Sequence, residues 1–299
     1  MSPWTASDIP DQHGRVHIVT GGNGGLGAAI ARALYDAGAE VILACRNMTK
    51  AEAFARELGP RAEARPLDLA DLSSVHAFAD SVEGADVLIN NAGVMAVPFA
   101  RTVDGFEMQI GTNYLGHFAL TGLLLPQLRG RVVSMSSLTH LIGAIDVDDL
   151  DWQRRGYHRY LAYAQSKLAN LVFAHELQRR LTEAGSPLLS VAGHPGFADT
   201  DMTRTGSAMR FVTVPLHYVT TALPWLNPGQ NPEMGALPLL YAATAEVEPG
   251  GYYGPDGLLG LRGHPAPVSS SPASRDRELA QRLWDQSEKL TDVRFEFAR

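Results

Sequence analysis

Thr20-Gly21-Gly22-Asn23-Gly24-Gly25-Leu26-Gly27 puts five glycines into eight residues. A short apolar run from Arg15 to Thr20, with His17 inside it, leads into this stretch. An alanine-rich run to about Ala37 leads out of it. The order is therefore strand, glycine turn, helix. Glycines let a backbone come close to a pyrophosphate, and a helix N-terminus offers free N–H groups and the positive end of a dipole. The stretch predicts the opening of a βαβ unit that binds a dinucleotide.

Beyond Gly38 the second strand reads Glu40 to Cys45 and ends in Arg46-Asn47. In this architecture the end of the second strand meets the adenine ribose. An acid there binds a free 2′-hydroxyl, whereas a basic residue accommodates a 2′-phosphate. Cys45 and Arg46 hold that place and no carboxylate does, which favours NADP over NAD.

A helix from Thr49 to Leu58, a strand near Ala62 to Leu67 ending in Asp68-Leu69, and a helix from about Asp71 to Val82 come next. Asp86 to Asn90 has a buried-strand pattern, closed by the small-residue turn Asn91-Ala92-Gly93. A turn at a strand's carboxyl end lies where open α/β sheets bind ligands. The long apolar run Asp104 to Leu128 reads as a helix with Asn113 embedded in it, and a buried amide needs a partner. Arg131 to Ser137 is a strand ending in two serines. Pro187 to His194 is another, followed by Pro195-Gly196 and Thr200, and Gly251 to Tyr253 is the last. Asn231-Pro232-Glu233 starts a helix to Ala243, and Asp276 to Lys289 forms a C-terminal helix.

Seven strands alternating with helices predict an α/β fold: one doubly wound parallel sheet, with helices on both faces, in a single domain over residues 1–299. Residues 1–14 are an N-terminal extension and 262–299 a C-terminal tail and helix. The apolar Phe211 to Leu226 run, broken by Pro215 and Pro224, suits a substrate lid over 205–230.

Tyr163-Ala-Gln-Ser-Lys167 lies in a run, Arg159 to Arg180, that reads as an amphipathic helix. Residues four apart share a helix face, so the phenol and the ammonium point the same way. A cation beside a tyrosine favours the phenolate, lowers its pKa and turns the phenol into a usable proton donor. Leu138 to Arg159 reads as a polar, solvated connection. Its acids Asp146, Asp148, Asp149 and Asp151 lack the glycine-punctuated loop or histidine spacing of a metal site, so no metal is expected.

Bulk composition bounds the rest. A formal charge of −7 with no basic stripe argues against a nucleic-acid partner. Cys45 is the single cysteine, which excludes an intrachain disulfide and suits a reducing cytoplasm. No uninterrupted run of about twenty apolar residues is present, so no membrane span is expected, and the start has no apolar signal-type core. A soluble cytoplasmic protein is the expectation, with homo-oligomerisation left open.

Assembled in order, Thr20 to Gly27, Leu43 to Arg46, Asp68, Asn90 to Gly93, Asn113, Ser136-Ser137, Tyr163 to Lys167 and Pro195-Gly196 with Thr200 resemble a short-chain dehydrogenase/reductase. The likeness is to the retinol dehydrogenase-like branch and runs over about 15 to 250. It implies a Rossmann fold and an NADP(H)-dependent oxidoreductase, NAD(H) being the other option, that interconverts an alcohol and a ketone or aldehyde on a lipophilic small molecule. By the same resemblance Tyr163 is the acid/base, and Lys167 lowers its pKa and holds the nicotinamide ribose. Ser137 binds the substrate oxygen, with Ser136 as the substitute, and Asn113 supports a water relay to Lys167. The cofactor set is Gly21, Asn23, Gly25, Leu26, Gly27, Arg46, Asp68, Leu69, Asn90, Ala92, Gly93, Tyr163, Lys167, Pro195, Gly196 and Thr200. The retinol-type members with an apolar N-terminal anchor differ from this chain. Gly21, Gly24 and Gly27 also fit the spacing of the longer epimerase and dehydratase branch. A nucleotide-binding redox sensor without turnover is the remaining alternative.

Overall fold

The computed structural model describes residues 3–198 and 230–297. Thr200 and, apart from Gln230, the lid expected at 205–230 lie outside the described residues. Eight strands form one sheet: β1 (Val16–Thr20), β2 (Glu40–Cys45), β3 (Ala62–Pro66), β4 (Ala85–Asn90), β5 (Leu128–Met135), β6 (Leu189–Gly193), β7 (Tyr252–Pro255) and β8 (Pro265–Pro267). Their order is β3-β2-β1-β4-β5-β6-β7-β8. β1 to β7 pair in parallel, which meets the expected doubly wound Rossmann sheet. Strand order reverses between β1 and β4. At such a switch point the loops leaving neighbouring strands part, and a crevice opens at their carboxyl ends.

β8 corrects the expected count of seven. It runs antiparallel to β7 after a tight reversal in which the N–H of Asp256 bonds the carbonyl of His264 at 2.8 Å. Two of its three residues are proline, which has no N–H to donate and belongs at a sheet edge. That composition hides the strand from a pattern search.

The helices are α1 (Gly25–Asp36), α2 (Met48–Leu58), α3 (Leu72–Asp80), a composite α4 over 108–124, α5 (Arg159–Glu183), α6 (Pro232–Thr244) and α7 (Arg277–Thr291). α1, α2 and α6 cover one face through Ile30, Leu34, Ala55 and Leu240. α3, α4, α5 and α7 cover the other through Phe78, Phe118, Leu168 and Trp284. α4 is shorter than the Asp104 to Leu128 expectation. It joins Met108–Ile110, a π-turn at Gly111–Leu115 and Gly116–Leu124. α5 is not amphipathic as expected. It is buried along most of its length, and Gln165, Ser166, Lys167 and Asn170 are inside it. No helix among the described residues is long and apolar enough to cross a membrane.

The connection before α5 is only partly solvated. His140, Val147, Leu150 and Trp152 are buried there, while Asp146, Asp148, Gln153 and Arg154 are exposed. Asp149 accepts from the N–H of Gln153 at 2.7 Å, Asp151 accepts from that of Glu107 at 2.8 Å, and Asp148 pairs with Arg282 at 3.2 Å.

Candidate active site

The glycine turn is shaped by two tight constraints. Gly21 has φ +64°, the left-handed region that disfavours side chains. At Gly27 a Cβ would sit 2.2 Å from the carbonyl oxygen of Gly21, so only glycine lets α1 start this close to β1. Gly24 caps α1 without a side-chain bond, which leaves the first N–H groups of a twelve-residue helix for an anion. Gly21, Asn23, Gly25, Leu26 and Gly27 line one crevice with Arg46, Asp68, Leu69, Ala92 and Gly93. Asn23 spans the crevice mouth by donating to the Asn47 carbonyl at 3.2 Å. Asp68 receives the N–H of Ala70 on one oxygen at 3.0 Å. A glycine cradle on a helix N-terminus, with cations at the far end of β2, fits the pyrophosphate of a dinucleotide.

Lys50, from the first turn of α2, belongs to this mouth and was missed in the sequence reading. Its ammonium lies 2.9 Å from a Cβ built on Gly24, which puts a second basic residue beside the turn. The available signal was the four-residue spacing from Arg46 at a helix start.

Asn90 is placed differently from the expectation. As the last residue of β4 it is buried and donates to the Thr121 hydroxyl at 3.0 Å, behind the crevice. Asn91 lines the crevice instead and donates to the Thr20 carbonyl at 2.7 Å. Pro195 and Gly196 follow β6 on the same edge of the sheet but do not line the crevice.

Deeper in, four side chains meet. The Ser137 hydroxyl faces the Tyr163 phenol and pulls its pKa downward. Lys167 is buried one turn along α5, donates to the Met135 carbonyl at 3.2 Å, and lies 5.8 Å from the Tyr163 ring centroid. Asn113 clamps the turn after β4, accepting from the Val94 N–H at 2.7 Å and donating to the Val94 carbonyl at 2.9 Å. It also donates to Ser166 at 2.9 Å, whose hydroxyl bonds the Tyr163 carbonyl at 2.8 Å. The π-turn that presents Asn113 is a device common at functional sites.

Ser136 and Ser137 separate clearly. Ser136 is turned inward and donates to the Lys167 carbonyl at 2.9 Å. Ser137 faces Tyr163.

The expected lowering of the Tyr163 pKa is absent from this geometry. Burial pushes the phenol up to about 12, against a smaller downward pull from Ser137. Burial also brings Lys167 down to about 8, which still leaves it mostly protonated near neutrality. Desolvation outweighs the helix-face pairing because both groups are sunk beneath the surface.

Residues 15–210 match the family described as short chain dehydrogenase. Human retinol dehydrogenase 13 is 43% identical over 300 residues, covering 94% of this chain and 85% of the relative. Mouse polyprenol dehydrogenase is 41% identical over 302 residues, covering 95% and 85%. A crystal structure of an uncharacterised protein from Mycobacterium Paratuberculosis superposes with a TM-score of 0.85 at 49% identity, covering 99% of this chain and all of the other. The Pseudomonas aeruginosa RhlG/NADP active-site complex superposes with a TM-score of 0.61 at 26% identity, covering 80% and 94%. With its crevice and matching sequence, the chain belongs to the short-chain dehydrogenases, oxidoreductases that act on CH–OH groups with a nicotinamide coenzyme.

Proposed function

We propose that the protein is an NADP(H)-dependent dehydrogenase/reductase that interconverts a lipophilic alcohol and its carbonyl, with Tyr163 as acid/base. The observation that carries this reading is the facing pair of Ser137 and Tyr163 hydroxyls, the latter on the helix whose Lys167 bonds the carbonyl of Met135, a residue that lines the coenzyme crevice. When bound, the coenzyme supplies or accepts the hydride. As carbonyl becomes alcohol, negative charge grows on the substrate oxygen, and two hydroxyl donors can stabilise it. Tyr163 then gives up its proton to that oxygen, and in the reverse direction takes it back. Lys167 and Asn113 hold the helix and turn that frame the pair.

Two observations support a lipophilic substrate. Leu141, shortly after Ser137, is 60% exposed and lines a hollow with Leu138. Apolar side chains left open near a polar centre suit an apolar ligand. The relatives named for retinol and polyprenol act, by those names, on alcohols of this kind.

The experiment is steady-state oxidation of NADPH with a panel of lipophilic carbonyls, read by loss of the reduced nicotinamide absorbance, and the reverse reaction with alcohols. Tyr163→Phe should bind NADPH as the unmodified protein does and lose about 10²–10⁴-fold in turnover. A variant that keeps more than about a tenth of the activity means another group moves the proton.

A further inference from the structure

We propose that His140 is the positioning residue for Ser137, and that through it the C-terminal tail holds the serine in place; this rests on the role given to Ser137 above. The carbonyl of Ser137 accepts two hydrogen bonds from one residue. One comes from the backbone N–H of His140 at 3.0 Å and the other from its ring Nδ1 at 2.7 Å. A carbonyl only accepts, so Nδ1 bears the hydrogen. The opposite nitrogen, Nε2, accepts the backbone N–H of Ser271 at 3.3 Å and must carry a lone pair. Both ring nitrogens are thus assigned, and the ring is held in one neutral tautomer. Burial agrees with this, holding the His140 pKa below the ordinary histidine value.

The strut has supports at both ends. Tyr252 meets the His140 ring edge-on, with centroids 5.5 Å apart and an interplanar angle of 89°. The Tyr252 phenol oxygen lies 3.4 Å from Nδ1 of that ring. Next to Ser137 in the chain, Ser136 holds the Lys167 carbonyl at 2.9 Å. At the tail, the Ser274 hydroxyl donates to the Ser271 carbonyl at 2.6 Å. His175 of α5 holds the Ser274 carbonyl at 2.8 Å. Ser137 is therefore fixed at its carbonyl by His140, while its hydroxyl accepts from the Thr139 N–H at 3.3 Å and meets Tyr163. A side chain of similar bulk with no donor fills the space but removes the shorter of the two bonds to the serine carbonyl, leaving only the backbone N–H there. Misplacing a reacting group by about 1 Å costs on the order of 10²-fold in rate.

The test uses the full chain and separates donor from bulk. His140→Asn can place an N–H near the position of Nδ1, whereas His140→Leu cannot, and His140→Ala is a second donor-free variant. Donor-free variants should lose about 10–100-fold in kcat with the coenzyme KM held within about twofold, and asparagine should stay within about fivefold of the unmodified protein. In a Ser137→Ala background, adding His140→Leu should cost less than about threefold more, because both act through one hydroxyl. Equal activity in the leucine and asparagine variants, a coenzyme KM that moves with kcat, or losses that multiply in the double variant would overturn the proposal. If the donor-free variants do not fold, the asparagine variant decides alone, and a loss above about thirtyfold counts against it. An unmodified protein with no turnover on the panel sinks the proposed reaction but not the strut. Hydrogen exchange then judges the strut: amides around Ser137 should lose protection in His140→Leu and keep it in His140→Asn. Those around Ser271 should lose it in both, because neither side chain has an acceptor at the Nε2 position. Equal protection around Ser137 in the two variants overturns the proposal.

Discussion

Thr20 and His117, 97 residues apart in the chain, share a hydrogen bond of 2.9 Å between the threonine hydroxyl and the ring Nε2. His117 Nδ1 lies 2.9 Å from the Asn113 carbonyl and must donate to it, so Nε2 accepts and the threonine hydroxyl donates. The same hydroxyl oxygen accepts the N–H groups of Asn91 and Ala92, each at 2.9 Å. One residue at the end of β1 thereby joins the turn after β4 to the helix that presents Asn113. Thr20→Val keeps the shape and removes the oxygen. Asn91 retains a second acceptor in the Ile89 carbonyl at 3.0 Å, so the loss falls on Ala92 and His117. Two stranded buried groups should cost about 2–5 kcal/mol, and Thr20→Ser should recover most of it. Urea unfolding of the three proteins measures this, and a valine penalty below about 0.5 kcal/mol would mean that the network is idle.

Trp284 of α7 is expected to be the largest single contributor from the C-terminal helix. Its ring lies 5.2 Å from Phe118, 5.8 Å from Phe173 and 4.5 Å from Phe295, with Arg180 stacked over it at 4.2 Å. Removing so large a buried ring leaves a cavity between α4, α5 and α7 that rigid neighbours fill poorly. Trp284→Ala should cost about 3–5 kcal/mol, read as a drop in the denaturant midpoint at unchanged slope. A cost below about 1 kcal/mol would show that the tail adds little to the core.

Acid should destabilise the protein before its carboxylates titrate. Burial brings His17, His117 and His194 each from an ordinary value of 6.5 down to about 4. Between those limits the unfolded chain binds protons that the native chain refuses, so stability falls as pH falls. Each fully buried ring contributes on the order of 3 kcal/mol to that loss once pH reaches the lower limit. Unfolding free energies at about pH 7 and about pH 5 should differ by several kcal/mol, and His117→Asn should shrink the difference. A pH-independent stability over that range would contradict the buried, neutral imidazoles.

Much of the architecture is legible along the chain because spacing survives in one dimension. The glycine turn, the parallel strands and the Tyr163–Lys167 face all follow from local periodicity and land where they are expected. Choices between neighbours do not. Asn90 and Asn91 are adjacent amides, and only the pleat of β4 decides which faces the crevice. His140 sits in a stretch whose acids suggest solvent, yet its partners Ser137 and Ser271 are 134 residues apart and meet only in the fold. The raised Tyr163 pKa is likewise a property of depth, which the helical spacing of a phenol and an ammonium does not record.

Coenzyme preference is the remaining expectation, and two residues bear it. Arg46 follows β2 directly, and Lys50 reaches back over Gly24 from the first turn of α2, so both cations line the mouth where the adenine ribose end would lie. Cys45 is buried there and brings no carboxylate to oppose a phosphate. A hydrogen bond to a charged group contributes roughly 1.5–3 kcal/mol, and about 1.4 kcal/mol is a factor of ten, so Arg46 alone supports about 10–100-fold in favour of NADP(H). Arg46→Ala should remove most of that preference. Lys50→Ala should remove less, about three- to tenfold, because its longer stem and rounder charge hold a phosphate less rigidly than a guanidinium fork. Adding Cys45→Asp to Arg46→Ala should reverse the order, since the carboxylate accepts the ribose hydroxyls and repels the phosphate. The ratio of kcat/KM for the two coenzymes, measured in the four proteins with one substrate, tests each step. An unmodified enzyme that prefers NADH, or an Arg46→Ala ratio unchanged within about threefold, removes the guanidinium from coenzyme selection. An unchanged Lys50→Ala ratio beside a collapsed Arg46→Ala ratio would instead assign the whole preference to the strand end.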